Sequence, residues 1–135
     1  SASMTVYLVR GAHALSACVE LEGRPSADIV QVVTGFERRM ERDGFDVEDC
    51  GAGVDLVVSG SLSLTTVELG DSWSTRVSLT ASGFDQRTAT DLGRTTITAV
   101  EESEEGEREA EVIALKEAGR LLAVHFGTQV MLLGE

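Results

Sequence analysis

Between Val54 and Val100 apolar residues recur on every second position in successive runs, and that period leaves few folds open to the chain. Leu56, Val58, Leu62 and Leu64 share one parity, with Ser59, Ser61 and Ser63 on the other. Val77, Leu79 and Ala81 repeat the alternation against Arg76, Ser78, Thr80 and Ser82. A strand turns successive side chains to opposite faces, so period two marks strands with one buried side. The pattern predicts strands over 54–69, 73–84 and 94–100. Gly70-Asp71-Ser72 supplies the first turn and the polar stretch 85–93 the second. Gly60 interrupts the apolar face of its run, as a bulge or a close backbone approach would require.

Upstream, Thr5 to Val9 (TVYLV) is β-branched and aromatic, and Ala17, Val19 and Leu21 alternate with Cys18 and Glu20. The first reads as a strand, and the second, over Ala14 to Leu21, as a strand, although a short helix fits it nearly as well. In the next segment Ile29, Val32, Val33, Phe36 and Met40 recur at three- and four-residue spacing, which predicts a helix over 26–43. Ser26 is the expected N-cap, Asp28 an acid for the first turn, and Gly44 the left-handed C′ residue. Phe45 to Glu48 then reads as a short strand. Strand, helix and strand in succession imply a crossover with parallel pairing.

After the meander comes the acidic run Glu101 to Glu109, read as the entrance to a helix whose stripe is Ala114, Leu115, Ala118, Leu122 and Phe126. Ala110, Ala114, Ala118 and Gly119 are small enough to let this helix lie close to a sheet or another helix. Gly127 is its expected end, and Val130 to Leu133 an apolar edge strand. The expectation is a two-layer α+β domain. A mixed sheet of about five strands carries an antiparallel meander and two helices on one face. It spans 4–135, and Ser1 to Ser3 read as a cloning remnant.

Charge narrows the partners. With 23 acids against 11 bases the net charge is −12, which opposes the phosphate neutralisation that nucleic-acid binding needs. Docking on anionic lipid is opposed for the same reason. No stretch approaches the roughly 20 apolar residues of a membrane helix. The expected partner is protein, a second copy of the chain included, with no nucleic acid and no membrane insertion.

Residues able to carry chemistry are scattered. His13 and His125 have no ligand at metal spacing, and His125 reads as a surface or capping group. Ser59-Gly60-Ser61 is not a nucleophile elbow, and Gly51-Ala52-Gly53 lacks the lysine of a phosphate loop. The glutamates of 101–109 lack the alternating ligands and turn glycine of a calcium loop. The expectation is therefore no enzyme, no metal and no cofactor. Trp73, Asp85, Arg87 and Asp91, which flank the meander turns, are the candidate interaction residues. Cys18 and Cys50 have neither zinc nor C-x-x-C spacing; they read either as two buried thiols or as one disulfide, which would imply an oxidising compartment.

The run Val54-Asp55-Leu56-Val57-Val58-Ser59-Gly60-Ser61-Leu62-Ser63 follows a helix ending in Gly44-Phe45-Asp46-Val47. A turn over 85–88, a further strand and an Ala-rich closing helix over 109–123 complete the order. Across 26–126 this resembles small α/β domains of bacterial envelope and flagellar assembly: flagellar assembly protein T, the N-terminal domain of TolB and curli-secretion-type lipoproteins. The resemblance implies a non-catalytic scaffold domain that docks other envelope proteins in the periplasm or at the envelope, and it transfers no catalytic residue. That reading predicts a Cys18–Cys50 bond. The alternative is a small cytoplasmic ligand-binding or regulatory protein that acts as an oligomer.

Overall fold

A computed structural model describes residues 14–133. Its elements are β1 (Ser16–Glu22), α1 (Ser26–Arg42), β2 (Asp46–Val47), β3 (Leu56–Leu69), β4 (Ser72–Asp85), β5 (Thr90–Ser103) and α2 (Glu107–Leu133). The strands form one sheet in the order β2-β1-β3-β4-β5. β1 pairs in parallel with both β2 and β3, whereas β3, β4 and β5 form the antiparallel meander. Two helices pack on one face, so the chain is a two-layer α+β domain. The strand predicted at Thr5 to Val9 and the residue His13 lie outside the described residues.

The alternation read from the sequence is the division between the sheet's two faces. Leu56, Val58, Leu62, Val77, Leu79, Ala81, Ile97 and Ala99 are buried beneath the helices. The opposite face carries the serines and threonines, from Ser59, Ser61 and Ser63 across to Thr96 and Thr98. Gly60 marks a close approach: a Cβ there would lie 2.2 Å from the Thr80 carbonyl oxygen on the paired strand.

α1 begins one residue earlier in its capping than expected. Pro25 is the N-cap, its carbonyl taking the first amide bonds from Asp28 (3.0 Å) and Ile29 (3.2 Å), and no side chain caps the helix because proline has no side-chain acceptor. Its C-terminus follows the prediction. Gly44 has φ +94°, and the amides of Gly44 and Phe45 reach the carbonyls of Glu41 (3.1 Å) and Met40 (2.9 Å) in a Schellman arrangement.

α2 corrects two expectations. It runs through Gly127 to Leu133, so Val130 to Leu133 is not an edge strand. Val130 continues the helical stripe of Leu122 and Phe126 into the core and is fully buried. Gly127 lies inside the helix against Met40 and Phe45, where a Cβ would make ordinary contact, and is not a helix end. The second meander turn is also shorter than expected. β5 begins at Thr90, and a register shift at Gly83/Phe84 opposite Asp91 and Gly93 breaks the alternation that would have revealed it.

The two helices meet backbone to backbone. A Cβ on Gly35 would lie 2.0 Å from the Lys116 carbonyl oxygen, and one on Gly119 would lie 2.0 Å from that of Val32. Contacts advance in the same direction along both, from Asp28 with Arg108 to Met40 with Gly127, so the helices run parallel. At their shared N-terminal end Asp28, nearly buried, accepts from Arg24 Nε (2.9 Å) and Arg108 Nη1 (2.6 Å). Burial pushes the Asp28 carboxyl up, but hydrogen bonds and charge from Arg108 and Arg24 outweigh it and hold it below the usual carboxylate value.

Candidate interaction surfaces

The four residues singled out from the sequence do not form one surface. Trp73 is half-buried near the β3–β4 turn, paired with Glu68 and Ser103, while Asp85 closes the far end of the same strand. At about 3.3 Å per strand residue the two stand roughly 40 Å apart. Asp85 has no surface of its own: it is fully buried, with Arg87 Nη2 2.8 Å from Oδ2 and Nε 3.2 Å from Oδ1. Arg87 Nη2 also reaches the Val130 carbonyl (3.3 Å), tying the β4–β5 turn to α2. Burial raises the Asp85 carboxyl, and the Arg87 bonds and charge more than reverse this, leaving it below the usual range. Asp91 is exposed and accepts the Gly93 amide (2.8 Å), shaping the turn. The ion pair thus positions the turn, and Arg87 and Asp91 are what it presents outward.

Cys18, wholly buried on β1, is joined to Cys50 in the loop after β2, with S–S 1.97 Å and Cα–Cα 5.1 Å. The same loop is held from the other side. Asp55 Oδ2 accepts from the Ser16 amide (2.8 Å), its own amide donates to Ser16 Oγ (3.0 Å), and Gln86 Nε2 donates to the carbonyls of Gly51 (3.1 Å) and Val54.

A groove of about 520 Å³ runs over the helix layer, and sequence reading missed it. Gly35 and Ile113 lie in its lining, and Arg38, Arg39, Arg42, Lys116 and Arg120 surround them together with Glu101 and Glu117. Those five are drawn from only 11 bases in the chain. Arg39 is engaged by Asp43 (2.9 Å) and Arg120 by Glu117 (2.6 Å). Arg38, Arg42 and Lys116 form no ion pair among the described residues. The signal was present as bases at i, i+1 and i+4 on α1 and at i, i+4 on α2, but only the crossing angle of the helices brings them together. A second hollow, of about 440 Å³, lies on the open sheet face, with Glu20, Glu22 and Arg94 among its serines and threonines. No group of three or more metal-ligating side chains occurs among the described residues. His125 sits within α2, Nε2 2.9 Å from Gln129 Nε2, its ring edge-on to Phe126 at 4.7 Å. It is therefore not at the helix end.

No family model and no curated protein matches the chain. The fold is similar to that of bacterial lipoproteins of known structure. The minor lipoprotein from Acinetobacter baumannii has a TM-score of 0.55 at 14% identity, covering 87% of this chain and 90% of that one. The PelC dodecamer from Paraburkholderia phytofirmans has 0.55 at 14%, covering 79% and 85%. Rare lipoprotein B from Shewanella oneidensis has 0.51 at 12%, covering 87% and 98%. Identities this low establish the fold alone. Of the groups the sequence resembles, the similarity supports the lipoprotein one and does not single out flagellar assembly protein T or TolB.

Proposed function

We propose that this chain is a non-catalytic protein-docking domain of bacterial cell-envelope assembly, working outside the cytoplasm and binding protein, a second copy of itself included. The observation that carries the reading is the fold shared with two bacterial lipoproteins and with the PelC dodecamer. The Cys18–Cys50 bond supports it, since such bonds persist in oxidising compartments. So do two separate hollows that offer recognition surfaces on opposite layers. Trp73, Arg87 and Asp91 belong to the proposed docking surface as two separate patches, one at each end of the meander.

The test is to express the gene at its native level with a C-terminal tag, quench with acid, alkylate and fractionate. The reading expects the protein in the envelope fraction with both cysteines oxidised and with protein cross-links. A cytosolic protein carrying two free thiols would overturn it and favour the cytoplasmic alternative.

A further inference from the structure

The helix-layer groove gathers five of this acidic chain's 11 bases, against Glu101 and Glu117, around an apolar floor. Its occupant should therefore be acidic and apolar together. A compact protein of net charge −12 concentrates bases on one face against its own balance, and charge of one sign in a cleft steers ligands of the other.

The chain carries such a partner on a different part of its surface. The β3–β4 hairpin is 14 residues long on each strand, and at its turn Val67 and Leu69 are 49% and 51% exposed. Glu68 lies between them in the strand with its side chain on the other face, Asp71 stands in the turn, both exposed, and Gly70 closes the turn at φ +62°. The tip thus offers two aliphatic side chains on one face of the strand, the Glu68 carboxylate on the other face and the Asp71 carboxylate in the turn. The groove offers Gly35 and Ile113 between Arg38, Arg42 and Lys116, three cations that no acid engages among the described residues.

We propose that the hairpin tip around Val67 to Asp71 of one copy docks in the Arg38–Arg42–Lys116 groove of a second copy. The two patches are different parts of the surface, so the contact is made either twice across a two-fold axis in a dimer or once per interface, head-to-tail, in a closed ring or an open filament. The inference deepens the self-binding part of the proposed function and is independent of the compartment. The apolar pair supplies the burial that holds the contact, and the charges set its orientation and its rate of formation. A general attraction between copies is not available, since the rest of the chain is acidic and repels itself.

The experiment is sedimentation velocity on the full chain at low and high salt, with charge reversal at each patch. Arg38, Arg42, Glu68 and Asp71 are exposed and make no side-chain hydrogen bond or ion pair among the described residues, so reversing them leaves the fold intact. Wild type is expected to self-associate at low salt and to weaken as exposed charges are screened, the Debye length shrinking from about 10 Å at 0.1 M to about 3 Å at 1 M. The Arg38→Glu/Arg42→Glu chain is expected to be monomeric. So is the Glu68→Lys/Asp71→Lys chain, although it is less acidic than wild type and would associate better if net repulsion alone governed. Mixing the two restores association, because each tip then meets a groove of opposite sign. A monomeric wild type at every salt concentration, an assembly that neither reversal disturbs, or a mixture that stays monomeric overturns the inference. Any of these leaves docking of a different envelope protein standing, which the fractionation and cross-linking experiment reads separately.

Discussion

Reducing the Cys18–Cys50 bond should cost this domain a large share of its stability. The two cysteines are 32 residues apart and enclose β1's end, α1 and β2 in one covalent loop. Closing a loop of that size removes about 3.7 kcal/mol of conformational freedom from the unfolded chain in the entropic account of cross-links. Typical domains have a net stability of only about 5–15 kcal/mol. The folded state should change little on reduction, because the Asp55–Ser16 bonds and the Gln86 contacts hold the same loop in place. The effect therefore belongs to the unfolded ensemble, and it should appear in two quantities together. In urea, with a slope of about 2 kcal/mol/M, the midpoint should fall by roughly 2 M when reductant is added. The slope itself should rise, because an unconstrained chain exposes more surface on unfolding. Cys50→Ala, at a half-exposed position, should reproduce the reduced curve without reductant. A midpoint that moves by less than about 0.5 M, or a fall without any rise in slope, would refute the unfolded-state explanation.

Acid should act through two buried carboxylates. Asp28 and Asp85 both have folded-state values below the ordinary one, so the unfolded chain takes up their protons first; their contribution is complete at neutral pH and is lost as pH falls below about 4 through the folded values. Urea midpoints against pH should show a falling acid limb, shallower in Asp28→Asn, which should itself lose about 2 kcal/mol at neutral pH because Arg108 is half exposed and can turn to water. Gly35→Ala puts a methyl 2.0 Å from a carbonyl oxygen and must part the helices; a melting temperature within a degree or so of wild type would contradict the backbone contact, since overpacking costs about 1–3 kcal/mol or more. Gly83→Ala meets the Phe126 ring at 2.5 Å instead, a side chain that can be shortened. Its loss should therefore be partly recovered in combination with Phe126→Leu, measured by thermal unfolding, whereas no second substitution should rescue Gly35→Ala.

Where local pattern and tertiary demand coincide, the structure was legible in the sequence. The parity of Leu56, Val58 and Leu62 is the inner face of β3, and the spacing of Val32, Phe36 and Met40 is the buried stripe of α1. Where a residue answers to a distant neighbour, local pattern misled. Gly127 resembled a helix end because glycine commonly ends helices, and only the helical residues beyond it show that α2 continues. Four apolar residues at 130–133 resembled a strand because only continuity with Phe126 marks them as helical. Thr90 to Gly93 resembled a loop because one bulge destroys the period by which a strand is recognised. The basic groove was hidden for a different reason. Each of its bases reads as an ordinary solvated charge on its own helix, and only the parallel packing of α1 on α2 turns two unremarked edges into one site.

That packing also constrains how such a chain can diverge. Side-chain cores drift by trade, one residue shrinking as its neighbour grows. The seam between Gly35 and Gly119 has nothing to trade, since on each side the contact is a main-chain carbonyl that every amino acid possesses. Descendants of this sequence can therefore rewrite the sheet and the outer faces of both helices while these two positions stay glycine. A search for its kin should weigh those two columns above any larger residue in the core.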